Sequence, residues 1–62
     1  MAVADFNKAI ELKPKNASAF NNRGLAYFQQ NNEKQGCNDV QKACSLGFCK
    51  GLEFAKSHGY CR

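Results

Sequence analysis

Nowhere do apolar residues run to the length of about 18 that a membrane-spanning helix needs, so the sequence holds no such segment. The opening MAVADFNKAI has neither the basic start nor the long apolar core of a secretory signal, which makes a cytoplasmic location the expectation. Basic residues never stand side by side. The nine Lys/Arg residues, against five Asp/Glu for a net charge of +4, are scattered singly, whereas a nucleic-acid binder gathers them into a stripe. That pattern describes a solvated surface and argues against nucleic acid as the partner. Reactive constellations are also missing. The four cysteines follow C-x6-C-x4-C-x11-C, which contains no C-x-x-C pair and fits no common zinc spacing. Gly47, Gly51 and Gly59 do not make a phosphate loop. No two carboxylates lie close enough in sequence to divide acid and base roles, and the single histidine, His58, suits a surface place at a helix end. We therefore expect no enzyme, no cofactor and no metal site.

What the chain does have is a period. Asp5, Lys8, Ala9 and Leu12 return 34 positions later as Asp39, Lys42, Ala43 and Leu46. Phe6 becomes Val40, Ile10 becomes Cys44, and Phe20 returns as Phe54 at the same offset. A fixed period of this length marks an array of helical hairpins, each burying its apolar face on its neighbours. With 62 residues there are fewer than two such units. A chain this short buries only about 60% of its unfolded surface. It is thus expected to be part of a longer array, to self-associate, or both.

Hydrophobic spacing and punctuation predict four helices and no strand. Val3, Phe6, Ala9 and Ile10 form one stripe over residues 2–12, which Lys13-Pro14 closes. Asn16 is suited to cap a second helix over 17–30, with Ala17, Phe20, Gly24, Leu25, Tyr27 and Phe28 on its apolar side. Asn31 or Asn32 can cap a third over 33–46, which buries Gly36, Cys37, Val40, Ala43, Cys44 and Leu46 and stops at Gly47. A short fourth helix, 50–57, turns Leu52, Phe54 and Ala55 inward and stops at Gly59. Glycine in a helix interior costs about 1 kcal/mol relative to alanine, so Gly24 and Gly36 are best explained by a close crossing of the second and third helices. Tyr27 is expected to fill one side of that crossing and Val40 the other.

These residues resemble the tetratricopeptide repeat family. Gly24 and Tyr27 stand where the first helix of that repeat carries its small residue and its tyrosine, and Gly36, Val40 and Ala43 match the second helix. Ala2, Phe6, Ala9 and Pro14 fit the same frame in a preceding, partial repeat. Phe48 departs from the pattern, which has proline there, as does His58, where a small residue is usual. The stretch CNDVQKACSLG resembles the last repeat of bacterial members. The resemblance implies an all-α solenoid of antiparallel helical hairpins: half a repeat in residues 1–14, a full repeat in 17–48 and a capping helix in 50–58. It also implies a protein–protein interaction module or scaffold that takes a peptide or helix on its concave face. By the family frame Ser18, Asn21, Asn22, Leu25, Phe28 and Gln29 face that groove, with Lys56 adding a charge from the last helix. Asn22 and Lys56 also match two places of the family's carboxylate-gripping subclass, although Leu52 replaces a basic residue that it requires. A homo-oligomer, in the simplest case a dimer, is expected through the uncovered face of residues 2–12.

The cysteines admit more than one reading. Cys37 and Cys44 lie seven apart on one helix, about 10 Å by helix rise, too far for a mutual disulfide. Buried thiols acting as small hydrophobes are expected at the four positions. A bridge between the third helix and the tail, for example from Cys44 or Cys49 to Cys61, and metal ligation by thiolates stay open. A module built on thiol or zinc chemistry is accordingly the alternative function, together with a purely oligomerising element.

Overall fold

The computed structural model describes residues 3–61, apart from the side chain of Val3; the expectations for Ala2 and Val3 therefore fall on residues or side chains outside the described set. Four helices follow one another: α1 (Val3–Leu12), α2 (Ala17–Gln29), α3 (Glu33–Ser45) and α4 (Lys50–Ser57). No strand occurs among the described residues. Local chemistry sets the limits. The Asn16 side chain accepts the Ala19 N–H at 3.1 Å, satisfying one of the donors that open α2. Asn31 turns the chain between α2 and α3 at φ 61°, a conformation asparagine tolerates better than most residues. Asn32 is the N-cap of α3, but its side chain makes no capping bond; its backbone carbonyl accepts the Gly36 N–H at 3.0 Å.

The crossing of α2 and α3 sits on the two mid-helix glycines. A Cβ on Gly24 would lie 2.6 Å from Val40 Cγ1 and 2.9 Å from the Gly36 carbonyl oxygen; one on Gly36 would meet the Phe28 ring at 2.5 Å. Glycine is what lets the two backbones touch. The residue packed over Gly36 is Phe28, which corrects the expected Tyr27. One position earlier on the helix, the Tyr27 ring lies 5.9 Å from the Arg23 guanidinium instead. The core is correspondingly made of small side chains: Ala19, Ala26, Val40, Ala43 and Ala55 are buried with Phe28.

Two polar residues share that interior. Asp39 on α3 is buried, and Arg23 on α2 grips it with two bonds, Nε to Oδ2 at 2.6 Å and NH2 to Oδ1 at 2.7 Å. The remaining arm, NH1, donates to Asn7 Oδ1 on α1 at 2.9 Å, so one guanidinium ties three helices together. The hydrogen bonds that Arg23 donates to Asp39 raise the Arg23 pKa above its ordinary value, opposing the lowering effect of burial.

The cysteines overturn the free-thiol reading. Cys37 is bonded to Cys61 and Cys44 to Cys49, and no described cysteine is free. A bridge between the third helix and the tail does form, but from Cys37 rather than from Cys44 or Cys49, which pair with each other. The reason is tertiary: after α4 the chain reverses at Gly59 and returns to α3, bringing Cys61 to a Cα distance of 5.6 Å from Cys37. With the sulfurs paired, thiolate ligation has no ligands, and among the described residues no group of three His, Cys, Asp or Glu is placed to hold a metal. Phe54 is also corrected. It is 41% exposed rather than turned inward, because Ala55 and Gly51 occupy the buried side of α4.

Candidate functional site

α2 and α4 leave a groove between them. Its volume is about 470 Å³. Leu25, Phe28 and Gln29 line it from α2, Phe54 from α4, Phe48 from the α3–α4 turn and Tyr60 from the tail. Tyr60 stacks on Phe28 with ring centroids 4.5 Å apart and planes 13° from parallel; Phe54 stands 6.4 Å from both. His58, exposed beside them, lies 4.1 Å from the Phe54 ring and its Nδ1 is 3.0 Å from the Phe54 carbonyl oxygen. The wall is thus a cluster of aromatic rings, and Lys50 is the one charged residue lining the groove among those described.

Asn21 lines the groove on the α2 side. It is only 6% exposed, and its Oδ1 has no hydrogen-bond partner. A buried amide oxygen left unpaired is costly, which makes it a notable feature of the site. Its position depends on α4: any Cβ on Gly51 would collide with the Asn21 carboxamide and come within 2.8 Å of Val40 Cγ1. Gly51 therefore lets α4 close on α2 at this point.

Four of the seven residues singled out from sequence, Asn21, Leu25, Phe28 and Gln29, meet around this groove. Phe28 contributes from a largely buried position. Ser18 is exposed on α2, Asn22 is half-buried, and Lys56 is exposed on α4; none of the three lines it. Lys50 supplies the groove's charge where Lys56 was expected. Phe48, Lys50, Gly51, Phe54 and Tyr60 were missed. Phe54 carried a signal, its recurrence from Phe20, whereas Phe48 and Tyr60 lie in segments outside the helical period.

Family models for the TPR repeat and the tetratricopeptide repeat match residues 1–31 and 17–46. The chain belongs to the tetratricopeptide repeat family. A curated relative, tetratricopeptide repeat protein 36 of Caenorhabditis elegans, is 47% identical over 45 residues, which make up 73% of this chain and 25% of that protein. The chain thus spans about a quarter of the curated relative's length. No solved structure gives a significant match. Tetratricopeptide repeats generally mediate protein–protein interaction, and proteins of the family are generally non-enzymatic scaffolds.

Proposed function

We propose that this tetratricopeptide unit binds a short segment of another protein, a peptide or one helix face, in the groove between α2 and α4. The observation that carries the reading is the groove itself: a cavity of about 470 Å³ walled by Leu25, Phe28, Phe48, Phe54 and Tyr60, with the unpaired Asn21 amide oxygen beside it. Such a surface takes one or two large apolar side chains, while Gln29 offers an amide group to a partner's backbone. Lys50 favours an acidic residue next to the apolar anchor. No catalytic role is assigned. The test is selection from a random peptide library against the oxidised protein, followed by NMR mapping. Selected peptides should carry aromatic or large aliphatic anchors, shift resonances of Leu25, Phe28 and Phe54, and lose at least tenfold in affinity for Phe54→Asp. Binding that maps elsewhere, or is indifferent to Phe54→Asp, would sink the reading.

A second surface favours self-association. On α1, Leu12 is 71% exposed, and Phe6 and Ile10 are only half-buried against α2. We propose that a second copy of the chain covers this face, which sedimentation equilibrium should show as a monomer–dimer exchange. As for location, two disulfides suit an oxidising compartment better than the cytoplasm expected from sequence. We propose the former, to be checked by thiol trapping of the protein in intact cells; alkylation of all four cysteines would restore the cytoplasmic placement.

A further inference from the structure

The aromatic wall draws two rings from outside the helices, and each is pinned by a disulfide. Phe48 lies in the α3–α4 turn inside the Cys44–Cys49 loop, and Tyr60 immediately precedes Cys61. The two are not held equally. Phe48 also donates its backbone N–H to Ala43 at 2.9 Å, and Gly47 donates to Cys44 at 2.9 Å, so the turn is hydrogen-bonded as a helix end without the sulfur bridge. Tyr60 sits beyond α4, after a reversal at Gly59 with φ 76°. Its non-covalent ties are one backbone bond to the Ala55 carbonyl at 2.8 Å and the ring packing against Phe28, Phe54 and His58. A covalent tie follows at Cys61, whose sulfur bonds to Cys37; the Cys37 Sγ, with no proton to donate, lies 3.1 Å from the Tyr60 carbonyl oxygen. Both cysteines are only partly buried, within reach of a small thiol.

From this placement we propose that the Cys37–Cys61 disulfide is a redox latch on the α2–α4 groove: bonded, it keeps Tyr60 stacked on Phe28 and the aromatic wall assembled; reduced, it frees the tail and weakens peptide binding. The proposal rests on the groove reading above. The chemistry is thiol–disulfide exchange with a dithiol reductant. One reductant thiolate attacks a protein sulfur, expelling its partner sulfur as a thiolate and giving a mixed disulfide; the reductant's second thiolate then attacks the reductant sulfur of that mixed disulfide and releases the first protein sulfur. The protein gains two electrons and two protons as two cysteine thiols, and the reductant leaves as its own disulfide. Cys44–Cys49 serves as the internal control, since its loss leaves the backbone bonds around Phe48 in place.

The test uses N-acetyl-tryptophanamide as a groove probe, titrated by NMR at 15 °C against the oxidised protein, the dithiothreitol-reduced protein, Cys37→Ser/Cys61→Ser and Cys44→Ser/Cys49→Ser. Cross-relaxation between the Phe28 and Tyr60 rings reports the latch, and far-UV circular dichroism reports the helices. Reduction and Cys37→Ser/Cys61→Ser should abolish the Phe28–Tyr60 signal and weaken the probe at least fivefold, with helicity kept. Cys44→Ser/Cys49→Ser should change affinity less than twofold, and Tyr60→Ala in the oxidised protein should match the reduced state. An oxidised protein that ignores the probe refutes the groove reading. Equal affinity in both redox states, or an unaffected Tyr60→Ala, refutes the latch alone. Loss of helicity on reduction also refutes it, because the bond would then be a staple for the whole fold.

Discussion

The two repeat-related helices, α1 and α3, carry the same residues and meet different fates. Asp5 is exposed, whereas Asp39, 34 positions on, is buried and gripped by Arg23. Phe6 and Ala9 are half-buried, but Val40 and Ala43 are fully buried. Ile10 rests on α2, and Cys44, its counterpart, is bonded across the next turn. The difference lies in neighbours. α3 has α2 on one side and α4 on the other, while α1 among the described elements touches α2 alone. Identical repeat chemistry produces a core only where both flanking helices are present, which is the logic of a linear array. The side beyond α3 is further secured by two disulfides; among the described residues the α1 side is held by the Arg23–Asn7 bond and apolar packing.

The asymmetry can be broken most sharply at Cys37–Cys61, which closes a 24-residue separation. On the chain-entropy model a loop of that size is worth roughly 3 kcal/mol. At roughly 5 °C per kcal/mol for a domain of this size, removing the bridge should lower Tm by about 15 °C while the helices stay folded at 15 °C. Thermal melts of Cys37→Ser/Cys61→Ser against the oxidised parent measure it; a shift below about 3 °C would mean that the covalent half owes its order to packing alone.

Next in size is Gly36→Ala. The new methyl would meet the Phe28 ring and stand 2.9 Å from the Gly24 backbone, so the helices must part. Overpacking of this kind costs about 1–3 kcal/mol, and roughly 1 kcal/mol returns through helix propensity. A net loss of up to about 2 kcal/mol is expected in urea unfolding, toward the upper end because a backbone oxygen is among the atoms met. No loss would show that the crossing can relax, and would remove the reason for glycine there.

The repeat itself supplies the cleanest contrast. Asp39→Asn removes the charge from a buried, two-pronged pair and should cost about 1–2 kcal/mol, moderated because Arg23 keeps partial contact with water. Asp5→Asn, the same change one repeat earlier on an exposed site, should stay within about 0.5 kcal/mol. If both cost alike, the equivalence of the two positions is structural after all and neighbours do not decide it.

Much of this architecture was written locally. Asn16 as cap, Pro14 as stop and the 34-residue spacing each act over a few residues, and the observed helices keep within one or two residues of those limits. The glycine crossing was legible for the same reason, since a mid-helix glycine carries a propensity cost that asks for an explanation. Half of the groove was not. Phe48 and Tyr60 enter it from a turn and a tail, where no period constrains side-chain direction. Which cysteine of α3 the tail would meet was hidden, because the return of Cys61 to Cys37 depends on the reversal at Gly59, a tertiary outcome. Burial of Asn21 and Asp39 was equally opaque, because polarity alone reads as surface until Gly51 and Arg23 are known to stand against them.

The smallest expected effect probes the open side. Leu12 contributes almost nothing to the folded monomer, since most of its surface already meets water, so Leu12→Ser should change urea stability by less than about 0.5 kcal/mol at low protein concentration. If a second chain covers α1, the same substitution removes apolar area from that contact and should weaken the dimer severalfold in sedimentation equilibrium. The two measurements together separate a residue that merely lies on the surface from one that is waiting for a neighbour. A variant that alters neither quantity would leave α1 as a finished edge, and the asymmetry between α1 and α3 would then belong to this unit itself rather than to an absent partner.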